Sequence, residues 1–146
     1  EVAGLGWGSA APFGDGALGD ALLAPTRLYV KPALTAIRAG GVHGLAHITG
    51  GGLTENLPRI LPDGLGAQID LGAWTLPQLF GWLAEAGGIT QSEMLKTFNC
   101  GIGMTLVVSP DRAGALAELL AGAGEEVFDL GRVVAGEGVA YSGQLA

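Results

Sequence analysis

Val42-His43-Gly44-Leu45-Ala46-His47-Ile48-Thr49-Gly50-Gly51-Gly52-Leu53-Thr54-Glu55-Asn56-Leu57-Pro58-Arg59-Ile60-Leu61 is the stretch whose reading sets the fold class. From Val42 to Thr49 apolar and polar residues alternate weakly, the period of a half-buried strand. Gly50-Gly51-Gly52 then interrupts the pattern, since consecutive glycines favour a turn over an extended ladder. Glu55 to Leu61 reads as a short helix, closed by Pro62-Asp63-Gly64. A strand, a glycine turn and a helix in direct succession predict a chain that mixes α and β structure.

The same reading extends outward in both directions. Residues 1–24 carry Gly4, Gly6, Gly8, Gly14, Gly16 and Gly19 with Pro12 among them, and are expected to form a flexible, glycine-rich lead-in. Leu28, Val30, Leu34 and Ile37 have helical spacing toward Ala39, with Pro32 in the first turn and Gly40-Gly41 as the stop. Downstream, Ala67 to Leu71 is a short strand, and Pro77 to Ala86 is a helix with Leu79, Phe80 and Leu83 on one face. Thr90-Gln91-Ser92-Glu93 has the form of a capping box, opening a helix to Lys96. Cys100 to Val108 is nearly all apolar and is expected to be a buried central strand. Pro110 opens a helix to Ala121 with Leu116, Leu119 and Leu120 inward, and Val127–Val134 and Val139–Tyr141 are the last strands. The order predicts an α+β domain over residues 25–146, one mixed sheet with helices packed on it, with no internal repeat.

Composition limits the function classes. Of the 146 residues 49% are hydrophobic, enough for a core and too many for a disordered chain. No run reaches the ~18 apolar residues of a membrane helix, so a soluble domain is expected. Seven Lys and Arg against 14 Asp and Glu give a net charge of −7, which provides no footprint for nucleic acid. Charged residues are 14% of the chain, against about 25% in an average domain, so part of the surface is expected to lie under another domain or subunit. Cys100 is the one cysteine, which excludes an internal disulfide and suits a reducing cytoplasm. The chain begins at Glu1 rather than Met, as expected of a piece of a longer protein.

Several motifs are candidates for chemistry. Gly14-x-Gly16-x-x-Gly19 has the spacing of a dinucleotide loop, but Pro12-Phe13 precedes it and no acid follows at the ribose position. His43 and His47 lie four apart, which on a strand separates them by about 13 Å, so no metal site is expected. Thr49-Gly50-Gly51-Gly52 can turn backbone N–H groups toward a phosphate, and Arg59 can add a bidentate contact, although no P-loop lysine is present. The alternative is a tight strand-to-helix connection with Arg59 as a surface charge. Cys100 within an apolar strand reads as packing rather than as a nucleophile, and Trp82 as core. Asn99 is a polar amide beside that apolar strand, held either by a ligand or by local turn bonding.

Three longer strings carry a resemblance. Leu22-Leu23-Ala24-Pro25-Thr26-Arg27-Leu28-Tyr29-Val30-Lys31-Pro32 is similar to the opening of the C-terminal domain of phosphoribosylformylglycinamidine cyclo-ligase, the aminoimidazole ribonucleotide synthetase family. His47 to Arg59 resembles that family's glycine-rich signature, and Thr97-Phe98-Asn99-Cys100-Gly101-Ile102-Gly103-Met104 its second. The resemblance implies a three-layer α/β/α domain with a mixed sheet and partial ferredoxin-like topology. It implies a cytoplasmic, ATP-dependent ligase of de novo purine synthesis that converts formylglycinamidine ribonucleotide to aminoimidazole ribonucleotide, releasing ADP and phosphate. ATP and Mg2+ would belong to the full-length homodimeric enzyme, whose nucleotide-binding N-terminal domain is its partner. The fragment alone would bind neither and be inactive, and neither nucleic acid nor membrane is implied. His47 would be catalytic; Thr49, Gly50, Gly51, Gly52, Asn56, Arg59 and Asn99 would bind substrate or phosphate. The alternative reading is a non-catalytic module that binds a phosphorylated metabolite or a partner domain.

Overall fold

The computed structural model describes residues 3–146, so the first two residues of the glycine-rich lead-in lie outside it. The rest of that lead-in is not all loop. Ala10 bridges Ala17, and helix α1 runs over Leu18–Leu22 with Leu18 and Gly19 buried. Gly19 lies against Trp7, where a Cβ would come within 3.1 Å of the Trp7 carbonyl oxygen.

Helix α2 covers Val30–Ala39 and stops at Gly40, whose φ of +82° suits glycine. Its apolar residues do not face the core. Only Ala36 is buried, while Val30, Leu34 and Ile37 stay exposed, as do Leu22, Leu23 and Leu28 before the helix. Amphipathic spacing marks which face is apolar and says nothing of what covers it.

Strand β1 (Val42–His47) leads through the glycine turn into α3 (Gly52–Asn56) and a 3₁₀ turn at Pro58–Ile60, so the helix expected over Glu55–Leu61 starts earlier and breaks at Pro58. Strand β2 (Leu65–Asp70) precedes α4 (Gln78–Gly87) and α5 (Gln91–Thr97), the last capped by Thr90 Oγ1 accepting from the Glu93 N–H. Strand β3 is Met104–Val108, followed by a 3₁₀ turn at Pro110–Arg112 and α6 (Ala113–Gly122); β4 (Gly131–Ala135) and β5 (Val139–Ser142) end the chain.

The α+β class holds, but the strands form two sheets rather than one. β1 pairs antiparallel with β3, and β2 sits between antiparallel β4 and parallel β5. The buried central strand is therefore β2, with Gly66, Ala67 and Ile69 buried; β3 pairs with β1 alone. One apolar core joins the two sheets, built from Ile48, Leu53, Leu71, Met94, Cys100 and Ile102 with Trp74 beside them. Trp82, expected in the core, is only half-buried and meets Phe13 in a tilted arrangement with ring centroids 5.3 Å apart, outside that core.

Candidate functional site

The site grows out of two turns held side by side. After β1, Ile48 is buried and its N–H donates to the Gly103 carbonyl at 2.9 Å, tying the glycine-rich string to the Asn99–Met104 string. In the second turn Cys100 and Gly101 have φ of +50° and +99°, and the Ile102 N–H closes on the Asn99 carbonyl at 3.0 Å. This is a left-handed turn, so the first residues of the expected Cys100–Val108 strand are not extended. Trp74 Nε1 donates to the Cys100 carbonyl at 2.9 Å and locks the turn from below.

Between these turns and the segment before α2 lies a cavity of about 370 Å³ lined by Ala24, Thr26, Arg27, Tyr29, His47, Ile48, Thr49, Asn99 and Gly103. Residues of all three strings singled out in the sequence meet there. Gly103 is needed for close approach: a Cβ there would overlap the Tyr29 hydroxyl and come within 2.8 Å of its Cζ. Tyr29 in turn meets the edge of His47, with ring centroids 5.9 Å apart. Asn99 Oδ1 accepts from the Gly101 N–H at 3.0 Å, the local turn bond that was one of its two expected roles. Its Nδ2 has no partner among the described residues and belongs to the cavity wall. His47 and Thr49 are exposed on the same wall.

The remaining expected residues do not line this cavity. Gly52 packs against the end of α5, and its N–H is committed to the Thr49 carbonyl at 3.0 Å. Gly51 turns the chain with a φ of +98°, and Gly50 lies open with nothing within 4 Å of a Cβ position. Asn56 is buried, and its Nδ2 donates to the carbonyls of Gly52, Gly50 and Thr49 at 2.8, 3.1 and 3.4 Å. Arg59 donates to Asn56 Oδ1 at 3.2 Å and does not line the cavity. Asn56 thus holds the glycine turn through its carbonyls, and Arg59 holds Asn56, its side chain otherwise largely exposed. Sequence reading missed Arg27 and Tyr29 as site residues; they stand in the first of the three strings, and only the tertiary fold brings them to His47.

A second, more open hollow of about 340 Å³ is lined by Gln68, Asp70, Asp129, Gly131, Arg132 and Ser142. Its charges are engaged locally, Arg132 with Gln68 Oε1 at 3.1 Å and each Asp with a neighbouring backbone N–H. His43 is exposed on β1 with its Nε2 2.7 Å from Ser109 Oγ, and among the described residues no three His, Cys, Asp or Glu come together as a metal centre.

Cys100 is fully buried, and desolvation pushes its thiol up to about 11. At pH 8 its thiolate fraction is then about one in a thousand, against roughly a quarter for an ordinary thiol. Alkylation by iodoacetamide is expected to be at least about ten-fold slower in the folded chain than in urea, as mass spectrometry of timed samples would show. Equal rates would remove the packing role.

The fold and the cavity define an α+β domain whose glycine turn and a second left-handed turn frame one polar hollow. Residues 1–143 match the family described as AIR synthase related protein, C-terminal domain, and the chain belongs to that family. Thiamine-monophosphate kinase from Stenotrophomonas maltophilia K279a shares the fold over 99% of this chain and 44% of its own, with a TM-score of 0.67 at 20% identity. The structure of tt0281 from Thermus thermophilus is similar over 76% of this chain and 35% of its own, with a TM-score of 0.54 at 28% identity. The chain therefore spans less than half the length of either relative. No helix of the described residues is long and apolar enough to cross a membrane.

Proposed function

We propose that this chain forms one wall of the active site of a cytoplasmic aminoimidazole ribonucleotide synthetase, closing the imidazole ring of formylglycinamidine ribonucleotide with consumption of ATP. The observation that carries the reading is the convergence of the three resembling strings on one cavity through Arg27, Tyr29, His47, Thr49, Asn99 and Gly103. The chain's share of the chemistry is binding and proton handling. The Thr49 hydroxyl and Asn99 Nδ2 offer neutral hydrogen bonds to substrate, and His47 takes a proton from the amidine nitrogen as it attacks the activated formamide carbon. Among the described residues no carboxylate lines the cavity to hold a magnesium ion beside a triphosphate. The magnesium–triphosphate site is assigned to a nucleotide-binding domain, and the exposed apolar side chains of Leu22, Leu23, Leu28, Val30, Leu34 and Ile37 support a covering partner.

Two results are expected. The chain by itself releases no ADP from ATP, in the presence or absence of formylglycinamidine ribonucleotide, in a coupled assay. In the complete enzyme His47→Ala lowers turnover by at least about 100-fold, the low end for loss of a general base. Its melting temperature stays close to that of the parent, because the side chain is exposed. Turnover unchanged by the substitution would remove His47 from the mechanism.

The function itself is tested by complementation. The gene for the complete enzyme containing this sequence is expected to restore growth without purines to a host lacking this synthetase. Rescue of a thiamine-requiring host instead would replace the proposal with a kinase function.

A further inference from the structure

We propose that Arg27, rather than Arg59, is the cation that holds the anionic group of the substrate in the cavity, with Glu125 as its resident competitor. This rests on the cavity being the substrate site. Among the described residues Arg27 is the one permanently charged side chain on the wall, and no carboxylate lines it. In a chain of net charge −7 this makes the hollow a local site for an anion.

The guanidinium is already oriented. Its Nε donates to Glu125 Oε2 at 2.8 Å and its Nη2 to the Gly124 carbonyl at 2.7 Å, beyond the end of α6. Nη1 has no partner among the described residues, and the side chain is 56% exposed where Glu125 is 16% exposed. An ion pair open to water on the arginine side is a weak anchor. A phosphate monoester carries more charge than one carboxylate and accepts the same bidentate geometry, so it displaces Glu125 without rebuilding the fold. Arg59, by contrast, is engaged with Asn56 Oδ1 behind the turn.

The test titrates the chain with ribose 5-phosphate at constant ionic strength, read by calorimetry, with circular dichroism checking that each variant is folded. Arg27→Gln is expected to weaken binding by at least about ten-fold, the scale of a lost charged hydrogen bond. Arg27→Lys falls between the two, and Glu125→Gln binds several-fold more tightly than the parent because the competitor is neutral. Arg38→Ala, which removes a charge outside the cavity lining, binds as the parent does. If Thr49→Val weakens binding and Arg27→Gln does not, Arg27 is not the anion ligand although the cavity is the site. Unchanged binding by Glu125→Gln overturns the competition. A parent chain that binds no ribose 5-phosphate overturns both this inference and the site on which it rests.

Discussion

Gly52→Ala is expected to destabilise the chain by at least about 3 kcal/mol, a large part of a typical domain's total stability. Gly52 opens α3 with a φ of +56°, a conformation that by itself costs alanine about 1–2 kcal/mol. Steric overlap costs more. A Cβ there would lie 2.7 Å from the Leu95 carbonyl carbon and 2.8 Å from the Phe98 oxygen, and closer still to the Leu95 oxygen. Those are backbone atoms at the end of α5, which no rotamer change can move aside. The only relief is to separate α3 from α5, which would open the contacts of buried Leu53, Met94 and Leu95. Gly50→Ala is the control, since nothing lies within 4 Å of its Cβ position. Urea unfolding of both variants decides the matter. A midpoint for Gly52→Ala close to that of Gly50→Ala would show that α3 and α5 do not approach so closely.

Asn56→Asp is expected to cost about 2–4 kcal/mol at neutral pH with almost no change in side-chain volume. In the parent, Nδ2 is the donor on which the Gly52, Gly50 and Thr49 carbonyls converge. A carboxylate would set a negative oxygen against all three. The Arg59 guanidinium would attract it, but Arg59 is 63% exposed and its contribution is screened by water. Repulsion therefore wins. The buried carboxyl of the variant has its charged form disfavoured, so its folded pKa is raised above the unfolded value. Its stability relative to the parent is then greatest below the unfolded carboxylate pKa of ~4 and falls as pH rises through the folded value. Denaturation of parent and variant at pH 4 and pH 7 should show a gap that widens toward pH 7. A gap that narrows would contradict Asn56 as the donor of the turn.

What was legible in the sequence was local chemistry. Gly40 ends α2 and Thr90 caps α5 because each rests on neighbouring residues alone. Asn99 stood out as a polar amide beside an apolar run and Thr49 as the start of the glycine turn, while His47 entered through the family resemblance; the three line one cavity. What escaped depends on partners distant in sequence. The apolar run from Cys100 is equally compatible with a buried turn and a buried strand, and the positive φ at Cys100 is set by its place beside Trp74 and Asn99. Arg59 was the phosphate cation suggested by spacing, and the fold places one of its guanidinium nitrogens on Asn56 Oδ1. Arg27 offered no local signal, since its place in the cavity exists only once Tyr29 lies over Gly103. The split into two sheets follows from pairing, which periodicity does not encode.

Substrate binding in the hollow between the two turns is measured most directly by an amide NMR titration of the isotopically labelled chain with formylglycinamidine ribonucleotide. Shifts concentrated on Arg27, Tyr29, His47, Thr49, Asn99 and Gly103 are the expected result. Shifts concentrated on Gln68, Asp129 and Arg132 in the second hollow, or no shifts at saturating ligand, would contradict it.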